Sequence, residues 1–237
     1  MEVVFVHGFG NELTGKMEKT LQEAFAQRAN DTFTVIRWDA GSTPGILRRG
    51  ITALAATTLV ARPKNAAEFL RGTGAAVASE AQNLWRKIQE AAKFTSQRMA
   101  AFHKRLGATD TPLVSLVGHS LGCQVVVDAL ALRPEWTKAL HKVVLVGGAV
   151  DQKRLATIPG NLLVAKRVVN IFSRTDLVLQ VLYRAIGGEG TPIGVKAVNI
   201  PGVANIRVNC QHHELYRYID TIVHQTLCLP GEPPPTS

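Results

Sequence analysis

The chain has 237 residues, 46% of them hydrophobic, which supports one substantial core and excludes both a disordered chain and a disulfide-stapled miniature. Lys and Arg outnumber Asp and Glu by 27 to 18, a net charge of +9, yet the basic residues fall in scattered pairs such as Arg48/Arg49, Lys104/Arg105 and Lys166/Arg167. With no basic block, interleaved aromatics or nucleic-acid motif, no nucleic acid is expected as a partner; a solvated surface is the first expectation, and transient contact with an anionic membrane the second.

The opening "MEVVFVHGFG" has no basic n-region and no cleavage site, and the longest apolar-leaning run, "ITALAATTLVA" at 51–61, is 11 residues against the roughly 20 that a bilayer span needs. A cytoplasmic location is therefore expected, with signal-independent secretion left open. Cys123, Cys210 and Cys228 are odd in number and show no paired spacing, which predicts a reducing compartment and no structural metal. His7, His103, His119, His141 and His224 are not spaced as metal ligands, and no cofactor motif is present.

In chain order, short β-branched runs predict strands at 3–6, 33–38, 113–117, 142–146, 168–172 and 203–208, and helical patterns fall at 16–28, 74–104, 121–131 and 214–226. Alternating βα units predict an α/β fold with a mostly parallel sheet. Residues 41–73 are too long for a plain βα connection and predict either an extra helical layer on the core or a cap over a pocket. "GGEGTPIG" at 187–194 lacks the lysine-hydroxyl ending of a phosphate loop and reads as a turn. The division expected is a single domain at 1–229 and a flexible proline-rich tail at 230–237.

The chemistry centres on "VSLVGHSLGCQVVVDAL" at 114–130, where an apolar strand, a Gly-x-Ser-x-Gly turn and an apolar helix stripe follow one another. A serine hydroxyl is a nucleophile only when it protrudes and a base takes its proton, and a sharp strand-to-helix turn gives Ser120 that exposure, with Gly118 and Gly122 relieving the crowding. Acyl transfer also needs two oxyanion donors, for which the amides of Leu121 and of Phe9, in the turn "HGFG" after the first strand, are the candidates. Asp176 follows the fifth strand and His212 and His213 follow the sixth, giving the order Ser, Asp, His on strand ends. Asp151, after the fourth strand, is the second candidate acid, and the residues alone do not separate His212 from His213.

These segments resemble the α/β-hydrolase superfamily: "VHGFG", "LVGHSLG", "SRTD" and "HHELY" occur in its order over nearly the whole chain. More narrowly, "GHSLG", "VNIFSRTDLVLQVLYR" and "HHELYRY" are similar to a little-characterised branch whose eukaryotic relatives include transmembrane and coiled-coil domain proteins. In that branch the acid sits in an "N-x-x-S-x-x-D" setting and the final histidine lies three residues before a tyrosine. Asn170, Ser173 and Asp176 match the first pattern and His213 and Tyr216 the second, so the resemblance favours His213 as the base. It also implies a reduced α/β-hydrolase fold that begins at the usual third strand, with about six strands flanked by helices.

The expected function is that of a serine hydrolase cleaving small-molecule or lipid carboxylic esters through an acyl-enzyme, with Ser120, His213 and Asp176 as triad and Phe9 and Leu121 as oxyanion donors. A phospholipase or acyltransferase at an anionic membrane is one alternative. A non-catalytic binding module on the same fold is the other, and the intact Ser, Asp and His weigh against it.

Overall fold

The computed structural model describes residues 2–8, 15–26, 32–38, 83, 86–98, 114–177, 179–180, 183, 190–210, 213 and 215–227. Its strands are β1 (Glu2–Val6), β2 (Thr32–Ile36), β3 (Val114–His119), β4 (Leu140–Val146), β5 (Val168–Phe172) and β6 (Val203–Arg207). The helices are α1 (Gly15–Ala26), α2 (86–98), α3 (Gly122–Leu132), the short α4 (Gln152–Leu155) and α5 (Gly160–Val164), and α6 (Ile219–Leu227). The expected cap at 41–73 and tail at 230–237 lie outside the described residues.

The six strands form one sheet in the order β2-β1-β3-β4-β5-β6, and every neighbouring pair is parallel. Parallel sheets need helices on both faces, so their inner strands are apolar at nearly every position. Alternation then sends successive residues to opposite layers. Val3 and Phe5 join Leu21 and Phe25 of α1 and Ile222 and Val223 of α6, whereas Val4 and Val6 join Val125 and Ala129 of α3 and Ile88 and Ala92 of α2. Each buried Val, Leu, Ile or Phe among them contributes about 1.5–3 kcal/mol, enough to fix the strand register against a one-residue slip. The edge strand β6 is half exposed, in keeping with its mixed "VANIR".

The winding places the site. From β1 the chain moves outward to β2, then returns past β1 to β3 and continues outward through β6 on the other side. The C-terminal ends of β1 and β3 therefore flank the topological switch point, where α/β sheets open a crevice. His7 and Gly8 leave β1 there and Ser120 leaves β3 there.

Most elements begin or end one or two residues from the sequence expectation, as β3 does at His119 and β4 at Leu140, and two differences bear on the site. Strand β2 ends at Ile36 rather than at 38, and Trp38 turns toward β1, donating its indole N–H to the His7 carbonyl at 2.8 Å and its backbone N–H to His7 Nε2 at 3.3 Å. The final helix is preceded by a 3-10 turn, Leu215–Tyr218, which buries Tyr218 before α6 begins. Of the expected turn at 187–194, residues 187–189 lie outside the described residues; Gly190 bends the chain at φ +71° and Ile193–Val195 forms a buried 3-10 turn. Among the described residues no helix is long and apolar enough to cross a membrane.

Candidate active site

Ser120 sits at φ +56°, a left-handed conformation unusual for a non-glycine residue, between β3 and α3. The strain is held by the end of β4: the Ser120 N–H donates to the Val146 carbonyl at 2.9 Å, and the Ser120 carbonyl accepts from Cys123 and Ala149 N–H at 3.1 and 3.0 Å. A β-carbon on Gly122 would lie 2.2 Å from the Val6 carbonyl oxygen, so only glycine lets α3 start hard against β1. Leu121 is the N-cap of α3, in the turn whose first N–H groups have no intrahelical acceptor.

The turn after β1 closes on the same serine. A β-carbon on Gly8 would lie 2.5 Å from Ser120 Cβ and 3.1 Å from its Oγ. His7 pins this turn, its Nδ1–H donating to the Gly8 carbonyl at 2.8 Å while Nε2 accepts from Trp38. Burial lowers the His7 pKa, and the uncharged ring suits a histidine that donates from one nitrogen and accepts at the other. Phe9 lies outside the described residues.

Asp176 and His213 meet at the ends of β5 and β6. The His213 Nδ1–H donates to Asp176 Oδ2 at 2.5 Å, and Asp176 Oδ1 accepts the Leu179 N–H at 2.8 Å. The aspartate side chain is fully buried and that of His213 is 10% exposed. The Tyr218 hydroxyl adds a longer contact to Asp176 Oδ2 at 3.5 Å, and burial, with Asp176 beside it, pushes the phenol pKa up so that it remains a donor. Among the described residues His213 Nε2, buried, has no hydrogen-bond partner, leaving that nitrogen available for a proton.

The spacing of Asn170, Ser173 and Asp176 acquires a physical reason. Asn170 Nδ2 donates to the carbonyls of Ile193 and Lys196 and to Asn205 Oδ1, each at 3.2 Å, which ties β5 to the 3-10 turn and to β6. Ser173 Oγ donates to the Cys210 carbonyl at 2.8 Å and accepts the Cys210 N–H at 3.1 Å, fixing the chain three residues ahead of His213. Asp151 instead caps α4, where its carboxylate accepts the Lys153 N–H at 2.6 Å. His212 lies outside the described residues.

Cys123 is placed as a buried core residue. Its thiol is buried, its pKa is pushed far up, and its Sγ–H points to the Gly118 carbonyl at 3.1 Å. Among the described residues no three His, Cys, Asp or Glu side chains converge as metal ligands.

A family model described as a protein of unknown function, DUF726, matches residues 66–225. The chain belongs to that family. The DUF726 match includes Ser120, Asp176 and His213 but not the turn at His7 and Gly8. Among curated proteins this DUF726 chain is 35% identical over 98 residues to the transmembrane and coiled-coil domain-containing protein STS1 of Oryza sativa subsp. japonica, covering 40% of this chain and 15% of that protein. It is 33% identical over 133 residues to the uncharacterized membrane protein C6F6.13c of Schizosaccharomyces pombe, covering 53% of this chain and 17% of that one. The chain thus matches less than a fifth of the length of these relatives.

Two features were not legible as parts of a site in the sequence: the stacking of His119 on His213, and the contact of Tyr218 with Asp176. Both depend on segments about forty to a hundred residues apart meeting at the sheet edge, which local spacing does not encode.

Proposed function

We propose that this DUF726 chain is a serine hydrolase of the α/β-hydrolase kind that cleaves carboxylic esters through an acyl-enzyme. The observation that carries the reading is the strained Ser120 turn at the switch point of the same sheet edge that holds a buried Asp176–His213 pair. In the reaction, Ser120 Oγ bonds to the acyl carbon as His213 Nε2 takes its proton, and Asp176 keeps the His213 Nδ1–H directed away from the serine. The developing oxyanion is held by the Leu121 N–H and, on the sequence reading, by the Phe9 N–H. Collapse breaks the ester C–O bond, and the leaving alcohol takes the proton from His213. Water then attacks the acyl carbon by the same proton path and releases Ser120.

The test is hydrolysis of a panel of p-nitrophenyl and naphthyl esters by the full chain. Turnover by wild type that disappears in Ser120→Ala and His213→Ala supports the reading. A panel left wholly uncleaved by wild type, or cleaved equally by Ser120→Ala, removes it.

Lipid esters at an anionic surface are a second reading. Leu177, next to Asp176, and Tyr216, three residues after His213, are exposed apolar side chains, and the Arg217 guanidinium stands 4.9 Å over the Tyr216 ring. The two relatives carry "membrane" or "transmembrane" in their names, and this chain is basic. Faster turnover of phosphatidylglycerol vesicles than of short soluble esters would favour this substrate class; the reverse order would favour soluble esters.

A further inference from the structure

His213 belongs to no helix or strand, and its backbone lies at φ +58°. Its ring is therefore oriented by what touches it. The bond to Asp176 fixes one nitrogen but leaves the imidazole free to swing about that bond; a surface against the ring face is needed to fix its plane. His119, the last residue of β3, supplies that surface: the two ring centroids are 4.9 Å apart and the planes are 22° from parallel. Tyr218 stands tilted against the same His119 ring at 6.2 Å. Among the described residues His119 Nε2, shielded from solvent, has no hydrogen-bond partner. A ring kept in place without that bond acts through its plane and size.

We propose that His119 is a positioning residue for His213, a flat platform that holds the base imidazole in plane on Asp176. The proposal rests on the serine-hydrolase reading for its kinetic consequence but not for its structural one. Burial first, then His213 and His7, hold His119 well below the usual imidazole range, so it stays neutral while His213 gains and loses a proton. Among the described residues the titratable groups around the pair are Asp176 after β5, Cys210 after β6, Tyr218 in the 3-10 turn and His7 after β1. Among the described residues Asp176 bonds to the His213 ring and His119 meets its face.

The experiment compares wild type, His119→Ala and His119→Phe in the full chain. Loss of the platform is expected to lower kcat about 100-fold in His119→Ala with KM changed by less than about twofold, and the flat ring of His119→Phe to restore most of the rate. The second readout needs no turnover: nitrogen-15-labelled histidine spectra should show the hydrogen-bonded Nδ1–H of His213 in wild type and His119→Phe, and its broadening by exchange with water in His119→Ala. If wild type cleaves no ester, the hydrolase reading fails while the resonance still decides the platform. A His213 resonance unchanged in His119→Ala overturns the proposal, as does a folded His119→Phe whose resonance is lost as in His119→Ala.

Discussion

The Ser173 hydroxyl grips the Cys210 backbone from both sides, donating to its carbonyl at 2.8 Å and accepting its N–H at 3.1 Å. That clamp joins the segment bearing Asp176 to the segment bearing His213, so the candidate acid and base are tied together by a hydroxyl that bonds to neither side chain. Ser173→Ala removes both of these hydrogen bonds and leaves the Cys210 carbonyl the longer contact from the Thr175 hydroxyl at 3.4 Å, and it is expected to cost about 1–3 kcal/mol in urea unfolding. It should also lower kcat more than it raises KM, because the His213 ring drifts from Asp176. Unchanged kcat in the folded variant would show that the clamp does not position the base.

The two candidate acids separate by their contacts. Asp176→Asn retains the shape but loses the carboxylate that accepts the His213 Nδ1–H, and kcat is expected to fall about ten-thousand-fold. Asp151→Ala removes an N-cap and is expected to cost about 1 kcal/mol of stability with kcat unchanged. Paired kinetics and urea unfolding of the two variants check both halves; an Asp151→Ala enzyme as slow as Asp176→Asn would reverse the assignment.

Gly147 is where backbone and imidazole compete for space. It sits at φ +50°, and a β-carbon there would lie 3.0 Å from His213 Cε1 and 3.4 Å from both His213 Nδ1 and the Tyr218 hydroxyl. Gly147→Ala is expected to cost about 1–2 kcal/mol from the left-handed backbone alone. The same methyl pushes on the ring, so kcat should fall about 10- to 100-fold, out of proportion to the stability loss. Full activity in a folded Gly147→Ala would mean that the ring has more freedom than these contacts describe.

Much of this architecture can be read from the sequence, and the reasons are local. Central strands such as "VVNIF" are apolar but for the hydrogen-bonded Asn170 because helices cover both faces, which makes β5 at Val168–Phe172 coincide with its expected span. Gly118-x-Ser120-x-Gly122 is legible because a sharp strand-to-helix turn dictates its neighbours. The end of β2 was not legible, since Trp38 leaves the sheet for a partner, His7, 31 residues away. Nor was the role of His119, whose place in "GHSLG" says nothing of the ring it meets after β6. Asn170 and Ser173 were visible as a spacing, but the reason for it needs β5 and β6 side by side.

Burial of neutral histidines gives stability a definite dependence on pH. His7 and His119 have folded pKa values below the ordinary imidazole value of 6.5, so below that pH the unfolded chain binds protons that the folded chain refuses. Stability is therefore fully present above about pH 6.5 and falls as the pH drops below it, by about 1.4 kcal/mol per pH unit for each such histidine while it stays neutral in the folded state. Urea unfolding between about pH 8 and 5 should show this slope, and His119→Phe should reduce it by one proton's worth. An identical slope in His119→Phe would mean that His119 takes up a proton in the folded protein.

The central claim is that Ser120 is the activated nucleophile, and covalent labelling tests it most directly. The full chain is treated with a fluorophosphonate and followed by intact mass and peptide mapping. The expected result is a single adduct on Ser120, none in Ser120→Ala, and a labelling rate in His213→Ala reduced at least about 100-fold. No adduct on the wild-type chain, an adduct elsewhere that survives in Ser120→Ala, or labelling of His213→Ala at the wild-type rate would contradict it.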